Sequence, residues 1–240
     1  MVINIPWGTV QYIDCMNKEK GLPSLPDKSI DLCITDIPFN VNIQISSRKK
    51  DSKHRSINLN KKAYDDNKTD YEDWCISWFK QLERICNGIV LQIGEKNIPM
   101  WCNIKIPKGY AFCLKRNART LSPIAYKNMI ATLIFYGKTN RMNNNFFDYY
   151  VNSGFLRKNA RHKNLIHPCP LRYAFWEDLI LRLKPKSVID PFIGSGTTAE
   201  VCKKLNIPWI GYEINPIYKE DIESRLNSIN LTKSGLRHWL

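Results

Sequence analysis

The stretch SVIDPFIGSGTTAEVC, residues 187–202, joins a short apolar run to a helical pattern through two glycines. Gly194 and Gly196 allow the backbone to turn tightly and to approach a ligand, and amides at a helix start can hold an anionic or polar group. A phosphate-binding P-loop carries a lysine directly before its Ser/Thr, and its absence here disfavours ATP. The loose dinucleotide pattern G-x-G-x-x-G/A is satisfied, so a nicotinamide or flavin enzyme stays an alternative.

A second apolar run, PWIGYEIN at residues 208–215, follows the glycine stretch. A carboxylate at its end, Glu213, can accept hydrogen bonds from both hydroxyls of a ribose, a geometry that serves any nucleoside-bearing cofactor. Asp190, directly before the glycine loop, suits a ligand with a cationic amino acid tail better than one with a pyrophosphate. S-adenosyl-L-methionine carries such a tail and a ribose. Structural roles remain alternatives, with Asp190 capping the loop and Glu213 an ordinary surface acid.

Apolar runs alternate with helical patterns along the rest of the chain. We predict strands at residues 9–15, 30–36, 88–94, 109–115, 129–137, 186–192 and 208–214. We predict helices at residues 71–86, 172–183 and 197–206. Strands that alternate with helices favour an α/β fold with a mostly parallel sheet, covered by helices on both faces. A length of 240 residues fits one such domain.

The composition indicates a globular protein with a polyanionic partner. Hydrophobic residues make up 43% of the chain, enough for a core, and the formal net charge is +14. Such a charge favours nucleic acid, although a membrane surface is an alternative. The eight cysteines form no CxxC pair, so we expect no metal site and no disulfide framework. Without a signal segment or a long apolar run, we expect a cytoplasmic protein with no membrane association.

Two polar segments interrupt the alternation of strands and helices. Residues 40–70 are rich in lysine, and residues 138–168 mix cations with aromatic side chains. The cations of the second segment are Lys138, Arg141, Arg157, Lys158, Arg161 and Lys163. Its aromatic residues are Phe146, Phe147, Tyr149, Tyr150 and Phe155. Loops this long in a compact domain are usually functional or disordered, so a solvated loop is the alternative to a binding role.

Three motifs resemble those of the amino-group DNA methyltransferases, which act on N6 of adenine or N4 of cytosine. They are TDIPFN at residues 35–40, DPFIGSGTT at 190–198 and GYEIN at 211–215. The catalytic motif precedes the cofactor motifs, which is the permuted order called the β class. Residues 10–39 are similar to the opening of that family, and residues 167–180 are similar to its segment before the glycine loop.

The resemblance implies a Rossmann-like methyltransferase fold with S-adenosyl-L-methionine as cofactor and a circularly permuted motif order. It implies one domain, with a catalytic half at about residues 1–137, a short target-recognition insertion at about 138–166 and a cofactor-binding half at about 167–240. The expected cofactor-binding residues are Asp14, Asp190, Phe192, Gly194, Ser195, Gly196, Thr197 and Glu213.

The tetrapeptide Asp36, Ile37, Pro38 and Phe39 is the expected catalytic group. An exocyclic amine is a poor nucleophile, because its lone pair is delocalised into the ring. The Asp36 carboxylate and the Ile37 carbonyl can accept hydrogen bonds from its two N–H groups, and the carboxylate offsets the cation that develops. Pro38 fixes the backbone, and Phe39 offers a face on which a flipped base stacks. The family usually has two prolines after its acid, and here Ile37 occupies the first of those positions.

The cationic segments supply the expected DNA contacts. We expect Lys49, Lys50 and Lys53 to bind phosphates, and Arg157 and Arg161 to contact bases. The expected partner is double-stranded DNA, with a restriction endonuclease as a possible further partner, and the chain is expected to be a monomer or a homodimer.

The sequence favours an adenine-N6 methyltransferase, because in this family Asp at the first tetrapeptide position goes mainly with adenine and Ser with cytosine. Three alternatives stay open. The target can be N4 of cytosine or an RNA amine. The glycine pattern alone supports a dinucleotide-dependent oxidoreductase, which leaves TDIPFN and the positive charge unexplained. A non-catalytic nucleic-acid binder is disfavoured by the intact Asp36 and glycine loop.

Overall fold

The computed structural model describes residues 4–40, 67–115, 130–149 and 173–229, which form an α/β fold around one eight-stranded sheet. The strands are β1 Thr9–Gln11, β2 Ile30–Asp36, β3 Cys86–Ile93, β4 Gly109–Lys115, β5 Ile130–Gly137, β6 Phe146–Tyr149, β7 Val188–Asp190 and β8 Trp209–Tyr212. The helices are α1 Tyr71–Ile85, α2 Ile98–Ile104, α3 Tyr173–Leu183, α4 Thr197–Lys204 and α5 Lys219–Asn227. Short 3-10 turns lie at Leu22–Ser24, Glu95–Asn97 and Pro216–Tyr218.

The strand order is β1-β8-β7-β2-β3-β5-β4-β6. Only the pairings of β5, with β3 and with β4, are antiparallel among the described strands. Every other pair is parallel, so the expected mostly parallel α/β fold is confirmed. The predicted strands are all present, although β1 and β7 are shorter than their apolar runs.

Helices cover the sheet on both faces. Alternate residues of its central strands point to opposite sides and pack into two cores. Ile89, Leu91 and Ile93 of β3 pack into one core with α1 and α2, where Trp78 and Trp101 are fully buried. On the other face, Val90 packs with residues of α3, α4 and α5, including the buried Trp176, Leu179, Val201 and Ile222. No helix within the described ranges is long and apolar enough to cross a membrane.

Strand β6 lies inside the segment that the sequence predicts to be a recognition loop. It extends the sheet by pairing in parallel with β4, with Phe112 opposite Phe146. Phe147 is 1% exposed, its ring lies 5.1 Å from that of Phe175, and the Arg182 guanidinium lies 4.2 Å from its centre. The prediction that the aromatic residues of this segment lie in a binding loop is therefore wrong for Phe147, which belongs to the core.

The two adjacent phenylalanines of β6 provide a test of this strand. We expect Phe147→Ala to lower the free energy of unfolding by about 3 kcal/mol, because it removes a buried aromatic side chain. Phe146 is 49% exposed, so Phe146→Ala, the matched control, should cost less than about 1 kcal/mol. Chemical denaturation measures both values. Equal losses for the two variants would contradict the assignment of Phe147 to the core.

Candidate active site

The candidate site lies at the carboxyl edge of the sheet, where three neighbouring strands end in acids. Asp36 ends β2 and Asp190 ends β7, and these two strands pair in parallel. Glu213 directly follows β8, which pairs with β7 on its other side. Ligands of open α/β sheets bind outside the carboxyl ends of the strands, so the fold brings the two sequence motifs to one site.

The loop after β2 is held by hydrogen bonds to its backbone carbonyls. The Tyr71 hydroxyl donates to the carbonyl of Pro38 at 2.5 Å, and Asn97 Nδ2 donates to that of Phe39 at 2.6 Å. Ile37 is 2% exposed. Both donors come from elements that pack in the core on this face, so the conformation of the tetrapeptide depends on residues distant in sequence.

Asp36 accepts a hydrogen bond from a side chain that sequence reasoning missed. Gln92 lies opposite Asp36 in the parallel pair of β2 and β3, and its Nε2 donates to Asp36 Oδ1 at 2.8 Å. The Gln92 carbonyl also accepts the backbone N–H of Ile37 at 3.4 Å. The only sequence signal for Gln92 is a polar residue within an apolar strand.

Phe39 is positioned by a glycine. A Cβ atom added at Gly94 would lie 3.2 Å from both Cβ and Cγ of Phe39. The Phe39 side chain therefore packs directly over the backbone that follows β3, where a larger residue would crowd it.

Asn40 closes the base of the polar segment that follows the tetrapeptide. It has a positive φ of 55°, which asparagine tolerates better than most residues. Its side chain pairs twice with the backbone of Lys68, donating to the carbonyl at 2.9 Å and accepting from the N–H at 2.6 Å. Lys96 Nζ donates to the Asn40 carbonyl at 2.7 Å. The hydrogen bonds between Asn40 and Lys68 therefore hold the two ends of this polar segment next to each other.

The glycine loop turns as the sequence predicts. Gly194 and Gly196 have φ values of 52° and 81°, and the Gly196 N–H donates to the Ile193 carbonyl at 2.9 Å. A Cβ atom at Gly196 would lie 3.1 Å from Ile222 Cγ1, so this position needs glycine for its conformation and for its packing.

A buried ion pair between α4 and α5 lies next to the glycine loop. Arg225 of α5 donates to Glu200 of α4 at 2.7 Å, and both side chains are at least 96% buried. The second terminal nitrogen of the Arg225 guanidinium donates to Ser195 Oγ at 3.4 Å. The hydroxyl of Thr197, at the start of α4, is buried and has no hydrogen-bond partner among the described residues. The loop therefore presents an unsatisfied polar group beside the helix N-terminus.

Asp190 is engaged inside the protein. Its carboxylate accepts from Thr35 Oγ1 and Thr198 Oγ1, both at 2.6 Å, and from the Phe192 N–H at 3.1 Å. Burial raises the pKa of Asp190 to about 6, and these three hydrogen bonds oppose that shift. The residue performs the loop-capping role that the sequence left as an alternative. Its contact with a cofactor stays a prediction, which its 1% exposure disfavours.

Glu213 lies beside the glycine loop. Its carboxylate accepts the Asn215 N–H at 2.8 Å and also interacts with the backbone N–H of Gly194. Burial raises the pKa of Glu213 to about 7; the two N–H groups oppose this shift, and the charge of Asp190 adds to it. Glu213 is 7% exposed, so the alternative of an ordinary surface acid is wrong.

Asp14 and Phe192 flank this arrangement. Asp14 is exposed, and its side chain accepts the Met16 N–H at 2.8 Å in the turn after β1, the strand next to β8. Phe192 packs against Trp74 and Trp78 of α1, at centroid distances of 5.4 and 5.2 Å. Helix α1 therefore contacts both loops, through Tyr71 on one side and these tryptophans on the other. The roles of Asp14 and Phe192 toward a cofactor stay predictions.

The candidate DNA-binding residues Lys49, Lys50, Lys53, Arg157 and Arg161 lie outside the described residues. The residues that flank their segments, Asn40 after β2 and Tyr149 at the end of β6, lie toward the carboxyl edge of the sheet. The assignment of the five candidate residues to DNA binding stays a prediction, because the structure does not describe them.

Two cations of the second segment lie elsewhere. Lys138 and Arg141 follow β5, whose end pairs with the beginning of β3, so they lie at the edge opposite Asp36. With Lys108 they line an open groove there. This position disfavours a recognition segment that begins at Lys138, and a role of these two residues in target recognition stays a prediction. Within the described part of the chain, no group of His, Cys, Asp and Glu could hold a metal ion.

Comparisons with known proteins agree with this geometry. A model of the N6/N4 methyltransferase family, described as DNA methylase, matches residues 117–224. The type II methyltransferase M.HpaI of Haemophilus parainfluenzae is 28% identical over 254 residues, which cover 91% of this chain and 74% of that protein.

Solved structures share the fold. That of the M1.HpyAVI–SAM complex superposes with a TM-score of 0.63 at 19% identity, covering 91% of this chain and 98% of the other. The cytosine-N4-specific PvuII DNA methyltransferase gives a TM-score of 0.61 at 20% identity, covering 92% and 88%.

The raised pKa of Glu213 predicts how the ligand-free protein responds to pH. Its folded-state pKa of about 7 exceeds the ordinary 4.5, so as pH rises the unfolded chain loses this proton first. Stability from this group therefore falls between about pH 4.5 and 7 and is constant above. Replacement by Gln removes the loss, so Glu213→Gln should gain about 1–3 kcal/mol relative to wild type between pH 5 and 8.

Urea unfolding at several pH values measures this difference. Glu19→Gln, at an exposed position of a turn, is the matched control and should differ from wild type by a constant amount. A constant difference for Glu213→Gln as well would contradict the raised pKa.

Proposed function

We propose that the chain, which resembles the amino-group DNA methyltransferases, transfers a methyl group from S-adenosyl-L-methionine to the exocyclic N6 amine of adenine in DNA. The observation that carries the proposal is the convergence of Asp36 and the glycine loop on adjacent strands at one edge of the sheet. An oxidoreductase with a dinucleotide would need the glycine loop but not the held tetrapeptide.

The residues around the glycine loop fit S-adenosyl-L-methionine. The buried Thr197 hydroxyl, which has no partner among the described residues, and the N-terminus of α4 suit the carboxylate of its methionine part. Glu213 would accept from the ribose hydroxyls, with Asp14 on the adenine side and Phe192 beside the loop. When bound, the cofactor supplies an electrophilic methyl group on a sulfonium.

The tetrapeptide supplies acceptors for the two N–H groups of the target amine. Within the described residues, the carbonyls of Pro38 and Phe39 already accept protein hydrogen bonds, whereas no protein donor reaches that of Ile37. The Asp36 carboxylate and the Ile37 carbonyl are then the acceptors that orient the nitrogen. The charge of Asp36 also offsets the cation that develops at the amine.

Adenine is favoured over cytosine by the first residue of the tetrapeptide. Asp at this position goes mainly with adenine in the family, and Ser goes with N4 of cytosine. Methylation of cytosine N4 is the second candidate, because the chemistry is the same and the PvuII enzyme of similar fold is specific for that base.

The partners follow from the charge and from the relatives. The net charge of +14 suits a double-stranded DNA substrate bound in the cytoplasm. A restriction endonuclease is a possible partner, since the relative M.HpaI is a type II methyltransferase. We propose a monomer or a homodimer.

Replacing Asp36 should separate chemistry from binding. We expect Asp36→Ala to lower the rate of methyl transfer at least a hundredfold, about 2.7 kcal/mol, because it removes an acceptor and a charge needed in the transition state. The dissociation constants for S-adenosyl-L-methionine and DNA should change less than about threefold. Single-turnover transfer of a labelled methyl group gives the rate, and sequencing with base-modification detection identifies the base.

Asp73→Ala, on an exposed position of α1, is the matched control and should keep the wild-type rate. Transfer at the normal rate by Asp36→Ala would remove Asp36 from the mechanism. Modified cytosine in place of adenine would select the second candidate.

We expect one cationic segment to contribute to DNA affinity and the other to the choice of DNA sequence. Combined replacement of Lys49, Lys50 and Lys53 by Ala should weaken binding to every DNA sequence alike. The slope of log affinity against log salt should then flatten by up to about 3, because each lost phosphate contact contributes about 0.9. Arg157→Ala or Arg161→Ala should instead change which sites are methylated.

The groove at the opposite edge provides the control for this experiment. Replacing Lys108, Lys138 and Arg141 together removes equal charge from a surface that faces away from Asp36, so DNA affinity should change little. If the lysine variant alters site choice and the arginine variants do not, the two assignments are reversed.

A further inference from the structure

We propose that Gln92 is a positioning residue for methyl transfer, which fixes the Asp36 carboxylate against the target amine without neutralising its charge. This inference rests on the proposed function, since it assigns Asp36 a role in that reaction. Nothing in the sequence motifs singles out Gln92, which lies 56 residues after Asp36.

The contact is defined by the sheet and not by a flexible loop. β2 and β3 pair in parallel from Ile30 with Cys86 to Asp36 with Gln92, so the two residues are opposite each other at the last step of the ladder. On its other side β3 pairs with β5, where Gln92 is opposite Leu133. A hydrogen bond of 2.8 Å between residues held on two central strands limits the rotation of the Asp36 side chain.

Gln92 also holds the backbone beyond Asp36. Its carbonyl accepts the N–H of Ile37, while its side chain donates to Asp36. Gln92 therefore holds the Asp36 carboxylate and also the peptide unit between Asp36 and Ile37, which directly precedes the Ile37 carbonyl. Two residues that follow β3 contact Phe39: Gly94 packs against its side chain, and Asn97 donates to its carbonyl.

The chemical type of the residue fits this role. A lysine or arginine at position 92 would orient Asp36 equally well, but it would cancel the negative charge that the developing cation needs. The carboxamide NH₂ group can donate a directed hydrogen bond to Asp36, and it has no net charge. If Gln92 only supported the sheet, an apolar residue of similar size would serve, since Val90, two residues earlier on the same face of β3, is apolar and buried.

The test compares two variants at position 92 with wild type. Gln92→Leu keeps the size and removes the donor, and Gln92→Glu keeps the shape but replaces the donor with a second carboxylate. We expect the single-turnover rate to fall at least tenfold for Leu and further for Glu, because like charges would then adjoin. The dissociation constants for S-adenosyl-L-methionine and DNA, and the melting temperature, should stay near wild-type values.

Gln81→Leu, the same chemical change on α1 away from the site, is the matched control and should keep the wild-type rate. Rates within twofold of wild type for both Gln92 variants would overturn the inference, and so would a fall in rate matched by equal losses of cofactor and DNA affinity. In either case, methyl transfer by the wild type and its loss in the Asp36→Ala variant would still support the proposed function. Absence of methyl transfer by wild type would overturn both.

Discussion

The buried hydrogen bond between Thr35 and Asp190 joins the two halves of the candidate site. Thr35 lies on the strand that leads into the tetrapeptide proposed to be catalytic, and Asp190 ends the strand that leads into the glycine loop. The two residues are 155 positions apart, so the contact forms only when β2 and β7 pair. An unpaired carboxylate at this depth would be costly, which makes the pairing and the shape of the glycine loop depend on each other.

The tetrapeptide and the glycine loop are also joined from outside the sheet by α1. Its aromatic residues contact the loop after β2 through the Tyr71 hydroxyl and the loop after β7 through the rings around Phe192. The described side chains that donate to the tetrapeptide, from Tyr71, Gln92 and Asn97, are neutral. They fix its geometry while the negative charge of Asp36 is kept.

The sequence by itself determined the fold class and the main parts of the site. Apolar runs and the strand–glycine–helix pattern follow from local backbone preferences, so seven of the eight described strands, the turn at Gly194 and Gly196, and the positions of Asp36 and Glu213 were predictable. The order of the motifs was enough to indicate a resemblance to the amino-group DNA methyltransferases, which the family model and M.HpaI also support. These features depend on neighbours within a few residues, which is why they can be recognised in a single sequence.

Tertiary structure decided which residues support those motifs. Gln92, Asn97 and Gly94 act on the tetrapeptide only because β2 and β3 pair in one register, and no local pattern encodes that register. Phe147 and the cations Lys138 and Arg141 have the composition of a recognition loop, yet strand pairing buries the first and carries the others to the opposite edge. Composition shows what a segment can bind. Its place relative to Asp36 is set by non-local pairing, whose free energy comes from burial across the whole sheet.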